Sequence, residues 1–521
     1  MHISRQGIAK ASIILIFATL LSRSFGFLRE VVIAGTFGAS ATTDAFFVAL
    51  TVPALFSDFV KYSVKNSFVP VFSQYRINHG DEAAWRFAGR FTKLLGLGFI
   101  LLAVCLFLGS NAIITVIAPG LSLEGHSTAV SLMQYLSFLV VLLGLASVFE
   151  SIYNSLEHFI VPAFAPLALN SAVIIFVLLC GRSLGALGIA IGMLVGGLLQ
   201  LLVFSRIARA CKISLREKID LSDRDMGSIL HHGAFIFIIH ATWGVYLIID
   251  RFLASSLQEG SISALAFADK IIQLPVGVFV LAVSIASLPQ MSISVARREY
   301  QKVEQICCTG MRFLLFVVVP ISIFFCLLRS PLIRILYQRG SFDAVATQLT
   351  AGPLFTYALG LCAFAAQIFI LRVFFAFQDM KTPLMTGLIS LAMKAALSLV
   401  FLHLWAVSGI ALATSIAAVC NTALLMVMLV RRGHVTSVCG TWRDLRKLVL
   451  GWLVLVVAGG AAFRVTGSFS FSSSILRDTV QIGGTVLLGC LVYVGTLILL
   501  RAREVKVLMD TLRIGSISRL F

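Results

Sequence analysis

Apolar runs of about 20 residues, each long enough to cross about 30 Å of hydrocarbon, recur from one end of this chain to the other. Only helices and closed barrels span a bilayer, because every backbone N–H and C=O must find its partner without help from water. A barrel strand would read as a segment of about ten residues alternating apolar with polar. The runs here are longer and do not alternate, so they read as helices. Composition agrees: the 521 residues are 59% hydrophobic and 12% charged, with a mean hydropathy of +1.00, more apolar than a water-solvated surface accommodates. The fold class is an all-α membrane protein.

The runs predict about fourteen spans. They lie near 10–36, 43–73, 91–118, 128–155, 161–181, 184–206 and 229–257, then 263–292, 311–337, 350–376, 382–403, 406–430, 447–466 and 480–500. The opening MHISRQGIAK, followed by ASIILIFATLL, has the charge order of a signal peptide, but no small-residue cleavage site follows. It counts as the first span.

A formal charge of +18 raises the question of nucleic acid, yet the cations sit in short connections between apolar runs and not on a basic domain. They cluster in alternate connections: Arg76, Arg86, Arg90 and Lys93; Arg206, Arg209, Lys212, Arg216, Lys218 and Arg224; Arg297, Arg298 and Lys302; Arg431, Arg432, Arg443, Arg446 and Lys447. The C-terminal tail adds Arg501, Arg503, Lys506, Arg513 and Arg519. Intervening connections such as Pro119 to Ser127 and Ser255 to Ile262 carry few or none. By the positive-inside rule both termini are cytoplasmic, and no nucleic-acid partner is implied. No connection is long enough for a separate soluble domain.

Ten cysteines are dispersed, mostly within apolar runs and without a CxxC pair, and read as reduced packing residues, including the adjacent Cys307 and Cys308. His231, His232 and His240 stand near one helix start without a carboxylate or cysteine at ligand spacing, which favours helix-entry or packing roles over a metal.

The two halves share an offset. A shift of 222 superimposes Arg29 on Arg251, Gly38 on Gly260 and Pro53 on Pro275. A shift of 221 brings Phe46 onto Phe267 and Pro162 onto Pro383, and 219 brings Pro70 and Ser73 onto Pro289 and Ser292. These matches predict two related bundles, a common transporter plan, against a background of chance matching in a low-diversity apolar chain.

An ionised side chain at bilayer depth costs at least about 2.5–3.5 kcal/mol, so each must face protein or a water-filled cavity and marks function. In the first span Ser22, Arg23, Gly26, Arg29 and Glu30 fall within about 120° of arc at about 100° per residue. The second begins at Asp44 and carries Pro53, a predicted kink, then Asp58, Lys61 and Lys65 on one face. The seventh and eighth carry Asp250 and Arg251, then Ser263, Asp269, Lys270 and Gln273 on one arc. Asp250 with Arg251 and Asp269 with Lys270 either neutralise each other near helix ends or line a cavity. The surplus of arginine and lysine suits a phosphate or diphosphate.

No HExxH, GxxxxGK[ST] or nucleophile elbow is present, so the chain reads as no enzyme, and the glycines Gly192, Gly196 and Gly197 read as helix packing. No cofactor is implied. Without an ATP site, transport would be driven by the membrane potential or by an ion the sequence does not identify.

Several stretches then carry a resemblance: LSRSFGFLREVVIAGTFGASATTDAFFVALTVPALF (21–56), SFVPVFSQY (67–75), IVPAFAPLALN (160–170), IIDRFLAS (248–255), ADKIIQLPVGVF (268–279), LYQRGSF (336–342) and FFAFQDMKTPL (374–384). In this order, over nearly the whole chain, they resemble the MurJ (MviN) family of lipid II flippases, within the multidrug/oligosaccharidyl-lipid/polysaccharide exporter superfamily. The resemblance implies two pseudo-symmetric six-helix lobes enclosing a central cavity, 1–210 and 211–435, and a C-terminal part, 436–521, of two further helices and a basic cytoplasmic tail. It implies that Ser22, Arg23, Gly26, Arg29 and Asp44 fit the first motif, whose arginines line a cationic cavity, and that Ser263 and Asp269 fit the eighth-span motif. Lys270 stands where an arginine is usual, Gln273 where some members have glutamate, and Ser57 and Asp58 where a pair of arginines often follows VPALF. Lys61 and Lys65 would restore that charge, and Arg251 would join the cavity set.

The function this implies is flipping of undecaprenyl-diphosphate-linked lipid II, the peptidoglycan precursor, across the bacterial inner membrane by alternating access, with membrane lipids and possible cell-wall synthesis machinery as partners. The alternatives are export of another lipid-linked oligosaccharide, a drug/cation antiporter, which should prefer acidic cavity residues, and a non-transporting scaffold of the cell-wall synthesis complex.

Overall fold

The structure, a computed structural model, describes residues 5–211, 213, 223–436, 442–468 and 473–505. The predicted basic residues Lys212, Arg216, Lys218, Lys506, Arg513 and Arg519, and the side chains of His240 and Arg443, lie outside the described residues. Among the described residues there are helices and no strands, and ten helices are long and apolar enough to cross a membrane.

The first half runs α1 (Arg5–Phe37), α2 (Ala41–Leu108), α3 (Ser110–Ile117), α4 (Leu123–Ser155), α5 (Ile160–Phe164), α6 (Pro166–Leu184) and α7 (Ala186–Ala210). Then follow α8 (Arg224–Ala254), α9 (Ser261–Pro275), a π-turn at Val276–Val280, α10 (Leu281–Ala296), α11 (Tyr300–Leu327), α12 (Arg329–Tyr337), α13 (Ala344–Ala376) and α14 (Lys381–Arg431). The last two are α15 (Trp442–Gly467) and α16 (Ser474–Leu499).

Unbroken, the 68 residues of α2 would be about 100 Å long, more than three hydrocarbon thicknesses. The chain turns back at Gly80, whose φ of 80° and ψ of 172° are non-helical. Through Pro53, the predicted kink, the dihedrals stay helical. Helix also continues past the predicted end of the second span, because hydropathy reports hydrocarbon depth and i to i−4 hydrogen bonding persists in water. Helix starts are capped by side chains that take up orphan N–H groups: Asp223 accepts from Asp225 N at 3.0 Å, and Asp343 from Ala346 N at 2.8 Å.

Several backbone features recur at an offset close to 221. α4 and α13 are each 33 residues and begin at 123 and 344; the short α3 and α12 have 8 and 9 residues. Gly185, between α6 and α7, has φ 55° and ψ −140°, and Ala406, which breaks α14, has φ 45° and ψ −125°. The positions are 221 apart, and an L-residue in this region is strained where glycine is not. Gly38 and Gly260 also match: φ is +70° and +86°, and an added Cβ would lie 3.1 Å from the Ser341 carbonyl carbon and 2.9 Å from that of Ala39, respectively.

By internal contacts the chain forms two units, Met1–Ser263 with Gly340–Phe342, and Ala264–Arg339 with Asp343–Phe521. In the first, α2 packs on α4 and α8, and α6 on α1 and α7. Lipid is as apolar as leucine, so helices associate through close packing and not through burial from water. Gly192 and Gly196 supply it, since a Cβ there would meet the Cα atoms of Val173 and Leu169 at 3.0 and 2.7 Å. At Gly80 the two arms of α2 close around Phe68, stacked on Phe72 and Phe91 with centroids 4.8 Å apart.

In the second unit α13 packs on α11 and α14, and α15 on α11 and α16. Tyr493 donates to Phe316 O at 3.0 Å. Two ion pairs fix α16 and the residues after it: Arg334 of α12 holds Asp478 through two 2.7 Å hydrogen bonds, and Arg312 of α11 holds Glu504. Asp478 and Glu504 are both buried.

Candidate functional site

Every residue predicted on the polar stripe of α1 points toward α5 and α6 or remains uncommitted. Ser22 Oγ donates to Ala163 O at 2.7 Å. Gly26 leaves room beside Asn170, where an added Cβ would sit 3.6 Å from Nδ2. Arg29 donates to Asn170 Oδ1 at 3.2 Å and to Glu30 Oε1 at 2.6 Å, and its buried Nε has no hydrogen-bond partner among the described residues. Arg29 is therefore largely matched in charge by Glu30. Arg23, half-buried, has no ion pair or hydrogen bond among the described residues, so the surplus cation of this stripe is Arg23.

On α2 the two predicted lysines differ. Lys61 forms a 3.0 Å ion pair with Glu150 of α4; Lys65, one turn on, is exposed and has no ion pair or hydrogen bond among the described residues. Ser57, which stands in place of an arginine in the family pattern, donates to Pro53 O at 2.8 Å. Sequence reasoning missed Glu150 and Asn170. The available signals were a carboxylate deep in a 33-residue helix whose one other acidic residue, Glu124, sits in its first turn, and the asparagine that ends IVPAFAPLALN.

Asp44, Arg251 and Ser263 come together. Asp44 accepts from Gly260 N at 2.7 Å through Oδ2 and from Ser263 N at 2.6 Å through Oδ1, so its carboxylate caps the start of α9, where the helix dipole favours an anion. Arg251 donates to Ile262 O at 2.9 Å and lies 5.5 Å from the Phe47 ring centroid. Both side chains are buried, and both Asp44 oxygens and one Arg251 nitrogen engage backbone. In the second unit Gln273 Nε2 donates to Asp269 Oδ2. Lys270 is half-buried and has no ion pair or hydrogen bond among the described residues. His231 and His232 are exposed on the first turns of α8, and His232 Nδ1 lies 2.7 Å from Ser228 O.

The family model for lipid II flippase MurJ matches residues 33–478. The chain belongs to the MurJ family. A probable lipid II flippase MurJ of Rhizobium tropici is 31% identical over 91% of each chain, and one of Vibrio cholerae serotype O1 is 28% identical over 95% of this chain and 96% of its own. A solved MurJ structure in an inward closed conformation superimposes with a TM-score of 0.79 at 26% identity, covering 93% of this chain and 98% of that one. An inward-facing multidrug resistance MATE transporter shares the fold, with a TM-score of 0.66 at 14% identity over 81% of this chain and 97% of its own. Membership in the MurJ family, with these helices, makes the chain a multi-pass protein of the bacterial inner membrane. Among the predicted site residues, Arg23, Lys65 and Lys270 are cations with no ion pair or hydrogen bond among the described residues, whereas Asp44 and Arg251 hold the start of α9.

Proposed function

We propose that this MurJ-family protein flips lipid II from the cytoplasmic to the periplasmic leaflet by alternating access through a cationic cavity, the undecaprenyl tail staying in lipid. It is a transporter and not an enzyme. The observation that carries the reading is the family match over 33–478, together with predicted site cations that have no ion pair among the described residues. A diphosphate needs two or more charge-assisted donors that its arrival does not have to strip from another carboxylate; in the first unit Arg23 and Lys65 are such cations, and in the second Lys270 is one.

Counting the arms of α2 and α14 separately, and including α1 and α8, supports fourteen membrane helices. The recurrence of helix lengths supports two pseudo-symmetric six-helix lobes, 1–210 and 211–435, followed by 436–521 with the last two helices and a cytoplasmic tail. Both termini are then cytoplasmic. Arg29 and Lys61, each beside a carboxylate, act as substrate ligands of the second rank, and Asp44, Arg251 and Ser263 hold the first turn of α9. The membrane potential resets the empty carrier, because one charge crossing the full field is worth about 2.3 kcal/mol per 100 mV. Cell-wall synthesis machinery receives the flipped lipid. The test is depletion of the protein, followed by measurement of lipid II exposed on the outer leaflet. Exposure should fall several-fold and return with the wild-type gene; unchanged exposure would remove the proposal.

A further inference from the structure

A cleft of about 460 Å³ opens in the first unit between the end of α4, the turn from Glu157 into α5, and the last turns of α7 from Arg206. That volume is within the range of ligand sites, about 300–1,000 Å³. The cleft lies at a membrane face: Phe159 and Ile160 at its edge are exposed, and Arg206 and Arg209, on the last turns of α7, are exposed as well. Aromatic and aliphatic side chains beside cations at the ends of spans mark the headgroup level. On the loop-charge reading this face is cytoplasmic.

The lining is dipolar. Glu157 and Arg206 supply one charge of each sign, and neither side chain has an ion pair or hydrogen bond among the described residues. Glu157 also holds a left-handed backbone, with φ 60°, at a helix end where glycine is usual. His158 N closes the turn by donating to Tyr153 O at 2.9 Å, and Tyr153 lines the same cleft, close enough for the charge of Arg206 to act on its hydroxyl.

The second unit contains the same kind of turn with protein filling it. Gln378, 221 positions on, has φ 58° and follows the end of α13 as Glu157 follows that of α4. There Asp379 pairs with Arg432 at 2.8 Å, and His434 stacks on Phe377 with centroids 3.9 Å apart. Carboxylate and guanidinium thus satisfy each other beside one turn and stand apart around open space beside the other. Opposite charges held apart in a cleft with apolar walls fit a molecule that carries the complementary pair. An anionic headgroup would meet Arg206 but be repelled by Glu157, whereas a phosphate joined to an ammonium satisfies both.

We propose that this cleft binds the headgroup of a zwitterionic, amine-bearing phospholipid of the cytoplasmic leaflet, with Arg206 on its phosphate, Glu157 on its ammonium, and Phe159, Ile160 and Ile207 against the start of its chains. The leaflet rests on the loop-charge orientation; the site does not.

Full-length protein in detergent is titrated with phosphatidylethanolamine and with phosphatidylglycerol of the same chains, and bound lipid is counted by native mass spectrometry. Wild type should hold the amine lipid several-fold more tightly. Arg206→Gln and Glu157→Gln should each lower that affinity several-fold, and only Glu157→Gln should raise binding of phosphatidylglycerol. A phosphatidylethanolamine with a photoreactive group near its glycerol should label residues 153–161 or 206–211 in wild type and lose that labelling in both variants. Glu157→Gly relieves the left-handed backbone, so it should raise the unfolding temperature while weakening amine-lipid binding; a lower unfolding temperature would give the carboxylate to the fold and overturn the assignment. Equal affinity for the two lipids in wild type, labelling confined to other segments, or unchanged affinity in both glutamine variants also overturns it. None of these measurements requires transport, so the site and the flippase reading stand or fall separately.

Discussion

The carboxylate of Glu150 lies 3.0 Å from the ammonium of Lys61, so a cation expected to serve the substrate already has a partner within its own unit. The two lysines of α2 should then behave differently. Lys65→Gln should weaken substrate binding about as much as loss of a full charge, whereas Lys61→Gln should have a smaller effect on binding and a measurable effect on stability. With the lysine side chain 42% exposed, the coupling in a double-mutant cycle with Glu150→Gln should stay below about 1 kcal/mol. Complementation of a depleted strain and thermal unfolding of the four proteins check both; equal binding loss from the two lysines would reverse the assignment.

Arg23 and Arg29 should separate in the same way. Arg23→Gln should reduce affinity for the diphosphate and leave the unfolding temperature near wild type, because no described residue pairs with it. Arg29→Gln should lower stability by about 1–3 kcal/mol by leaving buried Glu30 poorly satisfied. Dissipating the membrane potential at constant pH gradient should raise outward-face cysteine accessibility, and Arg23→Gln should blunt that response more than Arg29→Gln. Accessibility that ignores the potential in every variant would exclude an electrostatic reset.

Removal of the Asp44 carboxylate should cost architecture before it costs affinity. Asp44→Ala leaves the N–H groups of Gly260 and Ser263 buried without acceptors, at about 1–3 kcal/mol each, and frees the start of α9. Asp44→Asn retains one acceptor oxygen and should lose about half as much. Denaturation midpoints of the two variants decide it, and a milder defect in the alanine variant would contradict the capping role.

Stability should fall on mild acidification through the turn after α14. Burial pushes the His434 imidazole below its ordinary range, with Arg432 adding to the effect against Asp379. Burial also opposes ionisation of Asp379, but hydrogen bonds from Thr382 and the charges of Arg432 and His434 outweigh it and hold its carboxyl below the usual range. For both groups the unfolded chain binds more protons, so stability rises with pH across each window. The histidine contribution is present above about pH 6.5 and lost below it, and the aspartate contribution is lost below about pH 3.9. His434→Phe, which preserves the 3.9 Å stack on Phe377, should flatten the upper step in a plot of unfolding temperature against pH.

Orientation can be read with an impermeant thiol reagent on a cysteine-free background. A cysteine at His79, in the turn of α2, should be protected in intact cells, and one at Glu124, at the start of α4, should react. The inverse pattern would turn the whole molecule over.

Periodicity carried the helices, and the loop cations carried their expected direction, because hydrocarbon thickness imposes both on the sequence residue by residue. The offset of 222 between Gly38 and Gly260 was legible because both occupy backbone conformations few other residues tolerate. Pairing was not legible. Lys61 and Glu150 are 89 positions apart, and nothing in local pattern says which cation meets which carboxylate once α2 lies on α4. Asp44 shows the same limit, since a motif residue reads alike whether it faces a ligand or caps a helix. A single lysine such as Lys394, buried in α14, barely lowers a window average, so an apolar run conceals it.

The ion pairs at Asp478 and Glu504 act as two rivets through α16 and the residues just after it, spaced beyond the length of the helix between them. A part riveted at both ends cannot swing, so α15 and α16 must travel as a splint on α11 and α12. Cutting the chain before Trp442 would pull both rivets at once, leaving Arg312 and Arg334 to find water where the splint had been. An inactive truncation of that kind would report a sprung joint, and a finer tool, such as Asp478→Asn with Glu504→Gln, is needed to ask what the splint itself contributes.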